Sequence, residues 1–376
     1  MPQLNQTFAY PAVTVPVETI IKILDWEMFA LVHNGIVCTA LGLFGLVANV
    51  INILVFFKQG LNNSMNISFF SMSVADIIHI LAVEWANVCF NPYIDKLEAP
   101  IVFTDLYYFT GGWVNGCACR ITLYHMVCIT AERCLSIVYP LKIKTMITTR
   151  RMVVIIVAVD LMHVLTLVPE YVTVTLTWRF FPSRNRTLLS LGIRDGSAKG
   201  VTFLLHFILA FLGQVLVIIF TAILTLHLKR QTSWRQTVTK EIVKKNKKSF
   251  SSRDKKSMIL VVVIASVLIV CYSPSILCLV TFILPEFYVG GKLFPLFRDA
   301  WAFAYLFAIL NSGINVFIFY NVSTNYKNTF KQFFRCLITV TSVAVNNAQF
   351  CFKVKNTHEK ITPRFCRETI LRNNYA

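Results

Sequence analysis

The sequence predicts an all-α membrane protein, a bundle of seven membrane-crossing helices. Three observations carry that expectation. Of 376 residues, 56% are hydrophobic and only 14% are charged, with a mean hydropathy of +0.63, whereas a soluble domain carries roughly 25% charge. Leu31–Phe57 and Met258–Leu284 each run for 27 residues without Asp, Glu, Lys or Arg, where about 20 suffice to cross the hydrocarbon core as a helix. The runs do not alternate with a period of two, as the ~10-residue strands of a membrane barrel would.

The elements follow in order. Residues 1–30 are expected to form an extracellular tail. Their start, MPQLNQTFAY, lacks the basic and apolar regions of a secretory signal, so the first span is expected to act as its own anchor. The spans are then Leu31–Phe57, Asn66–Phe90, Leu106–Val138, Met152–Val174, Gly200–Leu228, Met258–Leu284 and Leu296–Tyr320. The third is too long for a straight crossing. Pro92, Pro140, Pro182, Pro285 and Pro295 all fall between runs, where helix breakers belong. Residues 31–320 thus form one membrane domain, and 336–376 a basic cytoplasmic tail. No internal repeat is visible, and an odd number of spans gives no pair of inverted halves, the mark of many transporters.

Basic residues orient the bundle. With the N-terminus outside, 26 of the 36 lysines and arginines fall on the cytoplasmic side, eleven of them in Lys229–Lys256, as the positive-inside rule requires. The same asymmetry accounts for the net charge of +18. A basic stripe can mean nucleic acid, but one spread along the inner leaflet is explained by anionic lipid. Of five Asn-x-Ser/Thr sequons, Asn5 and Asn185 fall outside and are expected to be glycosylated, while Asn62, Asn66 and Asn321 fall inside. Most of the eleven cysteines lie in or beside spans and read as small apolar packing. Cys336, after FKQFFR, is the palmitoylation candidate. The intramembrane histidines do not share the i, i+4 spacing of a metal helix, so no metal is assigned to them. There is no clustered Ser/His/Asp set, no HExxH and no phosphate loop, so an enzyme is not expected.

The adjacent charges Glu132-Arg133 at the inner end of the third span need a reason. Alone they read as a snorkelling anchor with a local partner. They are not alone. Asn49 lies in GLVANV of the first span and Asp76 in SMSVADII of the second. Glu132-Arg133-Cys134 is followed by Pro140, Cys271-Tyr272-Ser273-Pro274 lies in the sixth span, and Asn311-Ser312 with Asn315-Val316-Phe317-Ile318-Phe319 in the seventh. In that order the sequence resembles the rhodopsin-like, or class A, G-protein-coupled receptors over residues ~31–335. Glu132-Arg133-Cys134 stands for the family's Asp-Arg-Tyr, Cys271–Pro274 for its Cys-Trp-x-Pro, and Asn315–Phe319 for its Asn-Pro-x-x-Tyr. Tyr326, Lys327 and Phe330 fit the short amphipathic eighth helix of that family, expected at 321–335.

The resemblance implies a signal transducer with an extracellular ligand and a heterotrimeric G protein as partners, and no nucleic acid. It implies a latch in which Arg133 pairs with Glu132 and with Asp254 at the foot of the sixth helix. It also implies a sodium and water network around Asp76 with Asn49, Thr122, Asn311, Ser312 and Asn315; a protonated Asp76 bonded to Asn315 is the plainer alternative. A sodium ion is the one cofactor implied. NSGINVFIFYNVSTNYK is similar to invertebrate, molluscan-type chemosensory receptors and, more distantly, to FMRFamide-type neuropeptide receptors. A transporter or a non-signalling membrane scaffold with a receptor-like fold is the alternative; a scaffold would need only the spans.

The sequence also departs from the family. The place of the helix-three cysteine is Tyr108, and Val172–Gly200 holds no partner cysteine, so the usual disulfide is missing; Cys89 with Cys117 is a candidate substitute. The helix-four tryptophan is replaced near Val159 or Asp160, the toggle tryptophan by Tyr272, and the helix-seven proline and tyrosine by Val316 and Phe319. By place in the family, Glu84, Asn115, Cys119, Arg120, His206, Tyr272, Trp301 and Tyr305 are the ligand-pocket candidates. Asn115 stands where aminergic receptors carry an aspartate, so an amine ligand is not expected. Arg120 lies 13 residues before Arg133, ~20 Å up a helix and near mid-bilayer. Two readings stand for it: an intramembrane ion pair with Asp160, or a grip on an anionic ligand.

Overall fold

Hydrocarbon offers no water to a backbone N–H or C=O, so an apolar run that enters it must satisfy those groups within a helix. The computed structural model describes residues 27–140, 142–194, 200–241, 252–281 and 293–335, and there each run is helical. The spanning helices are α1 (Glu27–Gln59), α2 (Ser64–Cys89), α3 (Phe103–Val138), α4 (Thr149–Thr173), α5 (Val201–Glu241), α6 (Ser252–Thr281) and α7 (Phe294–Val322). An eighth helix, α8, covers 324–335. Asn5, Cys336 and the side chain of Asp254 lie outside the described residues.

Local chemistry sets the ends. Gly60, at φ +86°, turns the chain out of α1. Asn63 caps α2 by accepting from the Met65 N–H, and Thr148 caps α4 by accepting from the Arg151 N–H. The third run is one helix of 36 residues, loosened by a π-helical stretch at Tyr108–Gly112. A second π stretch, Ala30–Cys38, opens α1. Pro274 sits inside α6; one turn before it, the Ile269 carbonyl accepts from Ser273 Oγ at 2.6 Å and from Gln214 Nε2 of α5 at 3.0 Å.

The core lies between α2, α3, α5, α6 and α7, where Met72, Leu123, Met126, Val217, Val261, Ile264, Leu268 and Phe319 are buried together. Lipid-facing stripes remain exposed, such as Leu43, Val47, Val50 and Leu54 of α1 and Val154, Val157, Leu161 and Val164 of α4. α8 turns Tyr326 and Phe330 inward. Tyr326 packs on Phe56 and Phe319, and its hydroxyl donates to Asn52 Oδ1 at 2.6 Å. Burial pushes the Tyr326 phenol pKa up, so it stays a donor.

Between α4 and α5 the chain forms a β-hairpin. Strands β1 (Val174–Phe181) and β2 (Arg186–Ile193) pair antiparallel, with Trp178 opposite Leu189. Asn185 holds φ +47° in the turn, a left-handed conformation that asparagine tolerates better than most residues. The hairpin and Arg133 mark opposite ends of the bundle.

Candidate functional site

At the Arg133 end, α3 is held by one carboxylate. Ser64 Oγ, in the first turn of α2, donates to Glu132 Oε1 at 2.5 Å, and Arg133 Nη2 reaches the same oxygen at 3.5 Å. Glu132 is buried. The expected Glu132–Arg133 pairing is present, and Ser64 is a partner that sequence reading missed. Asp254 is placed in the first turn of α6, and its share in the latch falls outside the described side chains.

The polar network at mid-bundle assembles. Thr122 Oγ1 donates to Asp76 Oδ1 at 2.9 Å, Asn315 Nδ2 lies 3.4 Å from Asp76 Oδ2, and the Ser312 hydroxyl lies beside the carboxyl. Asn49 serves a different bond: its amide donates to the Gly45 and Ser312 carbonyls at 2.9 and 3.0 Å, clamping α1 to α7. Asn311 Oδ1, Ser312 Oγ and Asn315 Oδ1 are buried with no hydrogen-bond partner. These amide and hydroxyl oxygens around one carboxylate are hard ligands of the kind that fit a monovalent cation.

The pocket candidates divide into three places. Asn115, Cys119, Tyr272 and Tyr305 come together with two residues that sequence reading did not single out, His79 and Tyr107. Asn115 Oδ1 lies 2.5 Å from His79 Nδ1, which also meets the Cys119 thiol at 3.2 Å. The Tyr107 and Tyr305 hydroxyls face each other and Asn115. Tyr272, in the toggle position, faces Cys119 and Thr122. Trp301 continues a ring ladder from Phe297 to Tyr305 on α7. Around Arg120, His206 of α5 lies over Gly116 of α3, where a Cβ would stand 2.6 Å from the imidazole Cε1. Glu84 joins neither group. It lies in the α1–α2 seam, where Asn87 Nδ2 donates to it at 3.3 Å and a Cβ on Gly42 would overlap its Oε1.

The Arg120–Asp160 ion pair does not form. Arg120 Nη2 donates instead to Thr166 Oγ1 at 2.9 Å, and Asp160 Oδ1 takes His125 Nε2 at 2.8 Å. The reason is antiparallel register. Moving five residues down α3, from 120 to 125, matches moving six residues back along α4, from 166 to 160. Asp160 is thus about two turns off the depth of Arg120, ~9 Å at 1.5 Å per residue. A polar α3–α4 contact to Asp160 does exist, but its α3 member is a histidine.

Among the described residues, the hairpin end is fastened without a disulfide. Cys89 and Cys117, the candidate substitute pair, are both free thiols. Tyr108, in the place of the missing cysteine, donates its hydroxyl to Glu170 of α4 at 2.7 Å. Asp105 Oδ2, at the start of α3, accepts from Ser190 Oγ at 2.5 Å and from the Leu191 N–H at 3.1 Å. Residues 100–102 then add to β2: Val102 N donates to Leu189 O at 2.9 Å and Leu189 N to Pro100 O at 2.8 Å.

Seven membrane-length helices with an inward-facing charge pair at one end and a capped polar cluster near the other define a heptahelical receptor bundle. The profile of the seven-transmembrane receptors of the rhodopsin family matches residues 48–319, and the chain belongs to that family. It is accordingly a multi-pass plasma-membrane receptor and not an enzyme. Among individually curated proteins, none matches the chain.

Proposed function

We propose that the chain carries a signal from an external small molecule or short peptide to a heterotrimeric G protein, with the hairpin end and N-terminus outside and the Arg133 end and C-terminus in the cytoplasm. The basic asymmetry of the sequence supports that orientation. The observation that carries the coupling reading is the shared carboxylate of Glu132. It ties α3 to Ser64 of α2 and to its own neighbour Arg133, a contact that can be exchanged rather than merely strained. A ligand that favours the exchanged arrangement shifts the population by its differential affinity, and Arg133 then lines a cleft for the G protein. In the family's pattern Asp254 is the second partner of Arg133 in the closed form.

Asp76, Thr122, Asn311, Ser312 and Asn315 would hold a sodium ion, which would supply the positive charge that a buried carboxylate lacks. Asn49 would set the width of that site through its clamp on the Ser312 carbonyl. Lys327, Lys331 and Arg335 place positive charge along α8, suited to anionic inner-leaflet lipid, with a palmitoyl group on Cys336 just beyond. Glycans belong on Asn5 and Asn185. The ligand class follows the resemblance to invertebrate chemosensory and FMRFamide-type receptors.

The test is expression with a promiscuous G protein and a calcium readout, against food extracts and neuropeptides. Arg133→Ala should abolish the response at equal surface expression, and Ser64→Ala should raise basal signalling. An unaltered response in Arg133→Ala would refute the coupling reading, and a chain silent to every stimulus, with no basal signal, would favour a scaffold.

A further inference from the structure

Among the described residues, Arg120 is a charge without a counterion. It is 1% exposed and sits on α3 at mid-bundle, where an unpaired ion is costly. Its one oxygen partner is Thr166, whose hydroxyl donates in turn to the His163 carbonyl at 2.6 Å. The Nε and Nη1 nitrogens have no hydrogen-bond partner; the Cys117 thiol that lies beside the guanidinium is a weak acceptor. The acids that could neutralise it are engaged elsewhere. Asp160 is taken by His125, Glu170 by Tyr108, and Asp76 by Thr122 and Asn315.

The surroundings repeat this imbalance. Helices α4 and α5 bring two imidazoles within electrostatic reach of Arg120 and no carboxylate that is not already engaged. His163 Nδ1 donates to the Val159 carbonyl at 2.8 Å, so its Nε2 is an acceptor, while His206 Nδ1 is a buried atom without a partner. His206 stands within electrostatic reach of both Arg120 and His163, and Trp113 packs edge-on to His206 with ring centroids 6.1 Å apart. His206 is only partly buried. Thr166 uses one of the two Nη2 protons. A two-pronged edge of the guanidinium therefore remains, the geometry that matches a planar carboxylate.

The geometry points to an anion-binding subsite between α3, α4 and α5, in which Arg120 receives a carboxylate of the receptor's ligand and His206 stands beside it. This rests on the receptor reading for the word ligand, but the site itself is a matter of binding. One fixed positive charge among imidazoles suits a singly charged group. The activating ligand is accordingly a carboxylic acid with an apolar or aromatic body rather than an amine or a neutral odorant. The alternative is that ordered water fills the shell and no anion enters.

The test uses the purified full chain in lipid nanodiscs, followed by thermal unfolding. The probes are acetate, butyrate, phenylacetate and indole-3-acetate, each against its methyl ester and primary amide. At least one carboxylate should stabilise the protein with an affinity about 30-fold or more above its neutral analogues, the loss typical of removing one partner of a buried charge pair. Arg120→Gln should abolish the difference, while Arg120→Lys, which keeps the charge and loses the fork, should retain part of it. No stabilisation by any acid, equal stabilisation by acid and ester, or a preference that survives in Arg120→Gln would each overturn the proposal. If Arg120→Gln does not fold, the acid-against-ester comparison on the unaltered chain decides alone. Binding without a calcium response would leave the subsite standing and overturn the receptor reading instead.

Discussion

Removing the Asp105 carboxylate should undock the hairpin. Asp105 Oδ2 accepts two hydrogen bonds from β2, and the Ser190 hydroxyl that gives one of them is 3% exposed. Bonds to a charged acceptor contribute about 1.5–3 kcal/mol each, and a buried donor left without a partner costs about 1–3 kcal/mol. Asp105 is itself half-buried, so water can replace part of what Asp105→Ala removes, and a loss of about 2 kcal/mol in docking free energy is expected. That corresponds to ~30-fold faster local opening. Hydrogen–deuterium exchange should show it at the Val102 and Leu189 amides, which bridge the two segments, while the core amides of α2 and α3 exchange as before. Asp105→Asn keeps an acceptor and should lose about half as much. In a double-mutant cycle with Ser190→Ala the two changes should be sub-additive by about 1 kcal/mol. Unchanged exchange at Val102 and Leu189 in Asp105→Ala would refute the idea that this carboxylate does the work of the absent disulfide.

Asp160→Ala leaves His125 without its acceptor and should lower thermal stability by about 1–3 kcal/mol, and His125→Ala should match it, whereas the swap of Arg120 with Asp160 should rescue nothing, since those two residues do not meet. Tyr326→Phe removes the bond to Asn52 while keeping the rings packed, at a cost of about 1 kcal/mol, and should loosen α8 as measured by limited proteolysis after residue 322. Asp254→Asn should raise basal signalling by a coupling term of about 1–3 kcal/mol, and unchanged basal activity at equal surface level would exclude it from the latch. Glycosidase treatment should shift the chain's mobility in part through Asn185, exposed at the hairpin turn, and Asn185→Gln should shrink that shift to the part that Asn5 carries; a glycan on Asn66 instead would reverse the topology.

The sequence by itself determined the seven helices, because lipid leaves an apolar run no other way to satisfy its backbone, whatever its neighbours do. It also determined the polar network at Asp76 and the charge pair at Glu132, since polar residues placed in spans must turn inward and find one another. Tertiary structure decided what depends on depth and rotation. One residue turns a side chain 100° about its helix and moves it ~1.5 Å along it, so the choice between Asp160 and Thr166 for Arg120 was set by the register of two antiparallel helices. Glu84 shows the same limit: its place in the family aimed it at the pocket, and the bare surface of Gly42 drew it into the α1–α2 seam. The hairpin left a trace in the alternating run Val174-Thr175-Leu176-Thr177, but strand pairing is a long-range choice, made here by a carboxylate 85 residues from its serine. Ser64, His79 and Tyr107 are ordinary helix residues in the sequence, and only packing brings them to Glu132, Asn115 and Tyr305.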